Sequence, residues 1–264
     1  MGILDAILAT KRDEVTVLRH PQTRKLLQRT ALDASEPRRF AQNLRHDDGT
    51  LAVIAECKRR SPSKGDLAPD LDAGVTAQMY ERGLASAMSV LTDASYFGGR
   101  IDDLYAAHQH SALPLLRKDF VIDEIQVYET RAIGADAILL IVAALDDVAL
   151  RDLHALAREL GLAVLVETHD EAEVDRALGC GAEIVGVNSR SLQSFEEDLS
   201  VAERLRNMIP HDCVAVAESA VRSVCDAQRM ADAGFDAVLV GEAFVRSDHP
   251  EILCRDMASC TVRR

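Results

Sequence analysis

The chain has 264 residues, 48% hydrophobic and 28% charged, with 30 Lys and Arg against 43 Asp and Glu. A net charge of −13, no Trp and 4% aromatic residues argue against a nucleic-acid surface or an anionic-membrane surface, which need basic patches, and against base-stacking platforms. The longest apolar run, Ala135 to Leu145, is broken by Asp136 and is too short to span a bilayer, and the start, MGILDAILATKRDEV, carries charges inside its apolar pattern, unlike a signal peptide or an anchor.

Residues 1–48 open the chain with a helical stripe of Ile3, Leu4, Ile7, Leu8, Val15 and Leu18, followed by a short helix over Arg39–Leu44. This reads as an N-terminal helical extension packed on the rest of the molecule, within one domain spanning 1–264. From Leu51 onward, short apolar runs alternate with amphipathic stretches. Strands are expected at Leu51–Cys57, Ala87–Leu91, Leu113–Leu116, Ala137–Val142, Ala163–Val166, Ile184–Val187, Val214–Ala217 and Ala237–Val240. Helices are expected between them at Leu71–Arg82, Ile101–His110, Glu124–Ile133, Asp147–Leu160, Asp170–Leu178, Ser200–Asn207 and Val221–Ala233, with a weaker one after Pro250. Gly83, Gly134, Gly161, Gly179 and Gly234 fall where a left-handed helix cap favours glycine, and Thr168 and Asp170 are N-cap types for the fifth helix. The runs lack a polar alternation, as parallel strands covered on both faces do. Eight such units in about 210 residues fit an α/β (β/α)8 TIM barrel, with a doubly wound open sheet as the competing architecture.

In a barrel, function gathers at the C-terminal strand ends. The first strand ends AECKRRSPSKG, and Glu56 and Lys58, two apart on a strand, point the same way, here inward. A structural ion pair is the alternative, although two buried ions at a strand end favour function. The third strand leads into Lys118, the fifth into Glu167, the sixth into Asn188 and Arg190, the seventh into Glu218 and Ser219, and the eighth into Gly241. The loops after the last two strands read as a phosphate site, with Gly241 allowing close backbone approach and Ser61 and Ser219 offering hydroxyls. Other features have blander readings. The six cysteines form no C-x-x-C pair and, without an export signal, read as reduced thiols of a cytoplasmic protein. His169 beside Glu167 has no second His at ligand spacing and reads as a cap residue, so no metal is expected. Arg59, Arg60 and Lys64 read as a solvated or anion-steering run, and Gly98–Arg100 lacks the rest of a dinucleotide fingerprint.

These segments, in order, resemble the indole-3-glycerol phosphate synthase family of tryptophan biosynthesis. The stretches are IAECKRRSPSKG, SVLTDASYFGG, LLRKDFVIDEIQVYE, GADAILLIVAAL, LAVLVETHDEAEVDRAL, IVGVNSRSLQSFEEDL, VAVAESAV and AVLVGEAFVRSDHP. The resemblance implies a carboxy-lyase that closes an indole ring on 1-(2-carboxyphenylamino)-1-deoxyribulose 5-phosphate, releasing CO2 and water, without metal or organic cofactor. It implies a small sugar-phosphate substrate, no nucleic acid or membrane partner, and weak contacts with other enzymes of that pathway. It would make Lys118 the general acid, with Lys58 holding the substrate carboxylate and positioned by Glu56. Glu167 would be the base of the dehydration, and Asn188 would orient the intermediate. Ser61, Ser219, Gly241 and Glu242 would lie on the phosphate side, Ala220 stands where the family usually has Gly, and Arg190 and Glu218 would line the site. Phe97, Leu116 and Phe120 would wall the aromatic ring. Arg100 and Ser189 also depart from the family pattern, both in loops. Two neighbouring lysines would lower one ammonium pKa while nearby glutamates oppose the shift. Two other readings compete: a different sugar-phosphate barrel such as an acid–base isomerase, and a non-catalytic binding or scaffold protein with broken chemistry and retained phosphate loops, against which the intact Lys58, Lys118 and Glu167 speak.

Overall fold

The computed structural model describes residues 2–62, 64–191 and 196–263. Its strands are β1 (Ala52–Cys57), β2 (Ala87–Leu91), β3 (Leu115–Lys118), β4 (Ala137–Ile141), β5 (Ala163–Thr168), β6 (Ile184–Asn188), β7 (Val214–Glu218) and β8 (Ala237–Val240). They close into one barrel, each parallel to its neighbours, with β1 paired to both β2 and β8. Closure excludes the open-sheet alternative and leaves no edge strand in the barrel.

The strands are buried on both faces because their alternate residues serve two cores. Val53, Ala55 and Cys57 of β1 face the outer helices, while Ala52 and Ile54 fill the barrel interior with Leu116, Leu139, Leu165, Ile184, Val216 and Leu239. Phe40 and Leu44, from a short helix at Phe40–Asn43 and its C-cap, join this interior set. The inward parity then carries up each strand to its end, so the position above Ile54 is Glu56, above Leu116 is Lys118, above Leu165 is Glu167 and above Val216 is Glu218. An apolar plug thus supports a polar layer at one mouth.

Several strands run further than their apolar stretches. Lys118, Glu167, Asn188 and Glu218 are inside strands, in register with Leu91, Ile141 or each other, because ladder hydrogen bonds depend on backbone and not on side-chain polarity. The left-handed caps also differ in part. Gly134, Gly161 and Gly234 have φ of 80°, 80° and 89°. Gly83 has φ −76°, and Leu84 takes the left-handed turn at 62° instead. Gly83 is small for another reason: a Cβ there would lie 2.9 Å from Glu251 O, where helix Pro250–Ala258 crosses. Gly179 ends its helix, and Gly181, φ 84°, makes the turn. Asp170 is the N-cap, accepting from Glu173 N, whereas Thr168 is a strand residue bonded to Gly186 O.

The extension contains α1 (Ile3–Leu18) and α2 (Pro21–Asp33). Pro at the first position of α2 starts that helix without sacrificing a bonded N–H. The loop after β1 folds as a two-residue hairpin, Arg60–Ser61 against Gly65–Asp66.

Candidate active site

The polar strand ends surround a cavity of about 150 Å³ at the barrel mouth. Lys118 occupies its floor, Nζ lying 3.0 Å from Glu167 Oε2 and 2.9 Å from Glu218 Oε2. Lys58, emerging after β1, donates to Glu56 Oε1. Asn188 borders the same cavity as Glu167 and accepts the Arg190 N–H at 3.0 Å through Oδ1. The two lysines and the glutamates Glu56, Glu167 and Glu218 therefore converge from β1, β3, β5 and β7 on a common space.

Two glycines make the seats. A Cβ on Gly186 would overlap Glu218 Oε1, and one on Gly241 would overlap Glu56 Oε1. The strands next to those carboxylates carry no side chain where the carboxylates lie, so each Glu can lean into the floor. Gly241 thus acts beside Glu56 as well as opening the turn to helix Glu242–Arg246.

The electrostatics follow from burial set against pairing. Burial disfavours the Lys118 ammonium, but Glu167, Glu218 and Glu56 outweigh it and lift the group above the ordinary lysine range. Of the two opposing effects expected on the lysines, the glutamates win at Lys118. Burial would also raise the glutamates. Lys58 and Lys118 reverse this at Glu56, and Lys118 and His169 reverse it at Glu167, so both carboxylates are held below their usual range. Glu218 moves the other way, because burial and the charge of Glu167 outweigh its share of Lys118.

Phe97 and Phe120 form one wall, their ring centroids 6.1 Å apart. Leu116 does not join them: it belongs to the interior plug, one layer beneath Lys118. Ser61 is likewise not on the wall; it is buried, and its hydroxyl accepts the Lys64 N–H at 3.2 Å, bracing the hairpin. Ser219, Ala220, Gly241 and Glu242 do border the cavity. Ser219 and Ala220 both have left-handed backbone, φ 64° and 60°, so the departure from Gly falls on a position where Ala is strained. Glu242 pairs with Arg246 at 2.9 Å and Lys64 at 3.7 Å. Arg190 pairs with Glu197, which also holds Arg222.

Residues that the strand ends do not indicate complete the wall: Ile3, Leu4 and Ile7 of α1, with Glu197 and Arg222. The apolar stripe at Ile3, Leu4 and Ile7 is the available signal, but a stripe does not say which surface it covers. Lys11 of α1 is 1% exposed and lies 2.8 Å from both Asp93 and Asp119. Asp93 caps the short helix Ala94–Phe97, and Asp119 sits between Lys118 and Phe120, so α1 is bolted to both segments that carry the aromatic wall.

A family model described as Indole-3-glycerol phosphate synthase matches residues 4–257. The indole-3-glycerol phosphate synthase of Laribacter hongkongensis is 47% identical over 251 residues, covering 94% of this chain and 95% of its own. That of Chlorobium limicola is 48% identical over 242 residues, covering 92% and 94%. Among solved structures, 3-hexulose-6-phosphate synthase from Salmonella typhimurium matches with a TM-score of 0.64 at 15% identity, covering 79% of this chain and 97% of that one. At that identity the likeness is one of fold.

Proposed function

Since the chain belongs to the indole-3-glycerol phosphate synthase family, we propose that its mouth cavity closes the indole ring with Lys118 as general acid and Glu167 as base. The enzyme is a lyase of tryptophan synthesis: it converts 1-(2-carboxyphenylamino)-1-deoxy-D-ribulose 5-phosphate to indole-3-glycerol phosphate, CO2 and water. In the first stage the ring carbon bearing the carboxylate attacks the ketose carbonyl. Negative charge builds on the carbonyl oxygen, and Lys118 Nζ donates a proton to it as the C–C bond forms. Lys58, fixed by Glu56, holds the substrate carboxylate until its bonding pair returns to the ring and CO2 departs. In the second stage the new hydroxyl leaves as water after protonation by a lysine, and Glu167 takes a proton from the adjacent methylene carbon. Asn188 orients that intermediate. Each stage is a proton transfer coupled to a heterolysis, within reach of ammonium and carboxylate groups.

The left-handed pair Ser219–Ala220 and the turn at Gly241 present backbone to the phosphate end. Phe97 and Phe120 flank the aromatic ring. A trianionic substrate meets a chain of net charge −13, so the cations of the mouth, Lys58, Lys118, Arg190 and Arg222, each held by a carboxylate, are the groups that turn to its anionic ends. The substrate's place as a small sugar phosphate of a biosynthetic route fits a cytoplasmic enzyme.

The observation that carries this reading is the single ammonium of Lys118 held by two buried carboxylates beneath the aromatic wall. Lys118→Ala is expected to lose at least about 10²-fold in kcat, the low end of a positioned acid's contribution, with an unchanged far-UV circular dichroism spectrum. Indole fluorescence and CO2 release on adding the substrate measure it; near-normal turnover in that variant refutes the assignment. The same assay separates an isomerase or a scaffold, neither of which yields CO2.

A further inference from the structure

Ring closure takes up a proton from water in every turnover. The substrate arrives with an ionised carboxylate and loses it as neutral CO2. Of the protons moved, one goes to the carbonyl oxygen and a second to the departing hydroxyl, while Glu167 recovers one from carbon. Glu167 can return its proton to Lys118 across their 3.0 Å contact. The remaining proton must enter from solvent, although Glu167 and Glu218 are buried at the cavity floor and Lys118 is largely covered beside them.

One part-buried titratable side chain lies behind Glu167 and takes no part in the chemistry above. His169, just past β5, places Nε2 3.5 Å from Glu167 Oε1, the oxygen turned away from Lys118. Its Nδ1 is 3.0 Å from Glu173 Oε2, which also accepts the His169 backbone N–H at 2.8 Å and so fixes the ring. Nε2 is buried and has no hydrogen-bond partner among the described residues, so Glu167 Oε1, at 3.5 Å, is the charged oxygen it faces. The ring also borders a second cavity, shared with Asp5, Asp170, Glu173 and Arg190. Burial disfavours its charged form, but Glu173 and Glu167, with Glu218 beyond, outweigh this and raise its pKa above the ordinary imidazole value. Glu196 and Asp198 also border that second cavity.

We infer that His169, held by Glu173, is the inlet through which the consumed proton reaches Glu167. The Nε2–H bond breaks as an O–H bond forms on Glu167 Oε1; the carboxyl then turns about its Cγ–Cδ bond, bringing that oxygen to Lys118, and the O–H bond breaks as an N–H bond forms on the neutral Nζ. The neutral ring is recharged by hydronium or a buffer acid arriving through the second cavity. His169 is thus a positioning residue that acts through Glu167, and the inference rests on the role given to Glu167 above.

The test compares His169→Asn and Glu173→Gln with the parent enzyme, following kcat from about pH 6 to about pH 9, a range spanning the reference imidazole value of about 6.5, with and without added imidazole. H169N is expected to lose about 10²-fold in kcat at the alkaline end, with KM unchanged and turnover restored in proportion to imidazole. E173Q keeps an acceptor for the backbone N–H but loses the charge that favours imidazolium, so its alkaline fall in kcat begins at lower pH. Parent-like profiles and no response to imidazole overturn the inference. Should H169N fail to fold, the E173Q profile decides alone. Glu167→Gln separates the two levels: inactivity at every pH and imidazole concentration upholds the base assignment, and parent-like turnover refutes it whatever the His169 variants show.

Discussion

Ala220 and Gly186 show how single side chains set this site, one by carrying a Cβ and the other by lacking it. Ala220 sits at φ 60° directly after Ser219 at 64°, where an L-residue pays roughly 1–2 kcal/mol. Ala220→Gly removes that strain but gives the unfolded chain more freedom, worth about 0.5–1 kcal/mol, so a net gain of up to about 1.5 kcal/mol is expected. Calorimetry should record a melting temperature higher by up to about 3–6 °C; a decrease contradicts the strain argument. Gly186→Ala acts oppositely. Its methyl group occupies the position of Glu218 Oε1 and displaces that carboxylate from its 2.9 Å contact with Lys118. A displacement of about 1 Å in a catalytic group costs on the order of 10²-fold, so kcat should fall by that factor while the barrel's circular dichroism is retained. Gly186 is legible as a residue but not as a seat: nothing in VGVN states that a neighbouring strand's glutamate leans across it.

At the scale of elements, α1 is the component whose attachment is most specific. Lys11 enters a buried network with Asp93 and Asp119, and Asp119 also binds Arg117 at 3.2 Å and the Thr92 hydroxyl at 2.6 Å. Lys11→Met keeps the length of the side chain but strands the carboxylates, which typically costs about 3–5 kcal/mol. Because those carboxylates adjoin Phe97, Lys118 and Phe120, KM should rise as well, measured in the fluorescence assay. The same network gives acid sensitivity with a definite sign. Burial favours the neutral acid, yet Arg117 and Lys11 hold the Asp119 carboxyl at about 2, against 3.8 unperturbed. Its stabilisation is therefore complete above the unfolded value and disappears as pH falls through about 2, an effect on the order of 2 kcal/mol. Melting temperatures should drop steeply between about pH 4 and about pH 2 in the parent protein, and Asp119→Asn should flatten that slope. The strands are readable because eight apolar runs each end in a change of residue type. Helix α2 is not: PQTRKLLQRTALD is largely polar, and its place is set by contacts such as Arg24–Glu124 and the Arg131 guanidinium donating to the carbonyl of its C-cap Ala34, between segments about a hundred residues apart. Resemblance alone puts Leu116 in the aromatic wall, whereas the two-residue period of β3 puts it below Lys118, in the plug.

Taken whole, the molecule divides into a dry lower barrel and a charged mouth, and its cysteines report on that division. Cys57 and Cys254 are buried, and burial pushes both thiols up to about 12. Cys225 is exposed on helix Val224–Asp232. A thiol reagent followed by peptide mass spectrometry should label Cys225 first, with Cys57 and Cys254 protected by a factor of about 10³–10⁶ until the protein unfolds. Early labelling of Cys57 would mean that β1 opens independently of the barrel. The glycine seats at 186 and 241 carry a lesson for engineering. Grafting Lys58, Lys118, Glu56, Glu167 and Glu218 onto another scaffold transfers the reagents but not their room, since the vacancies belong to adjoining strands. A recipient barrel with alanine at either place will hold the right formal charges in the wrong posture, so the hollows have to be transplanted along with the residues that fill them.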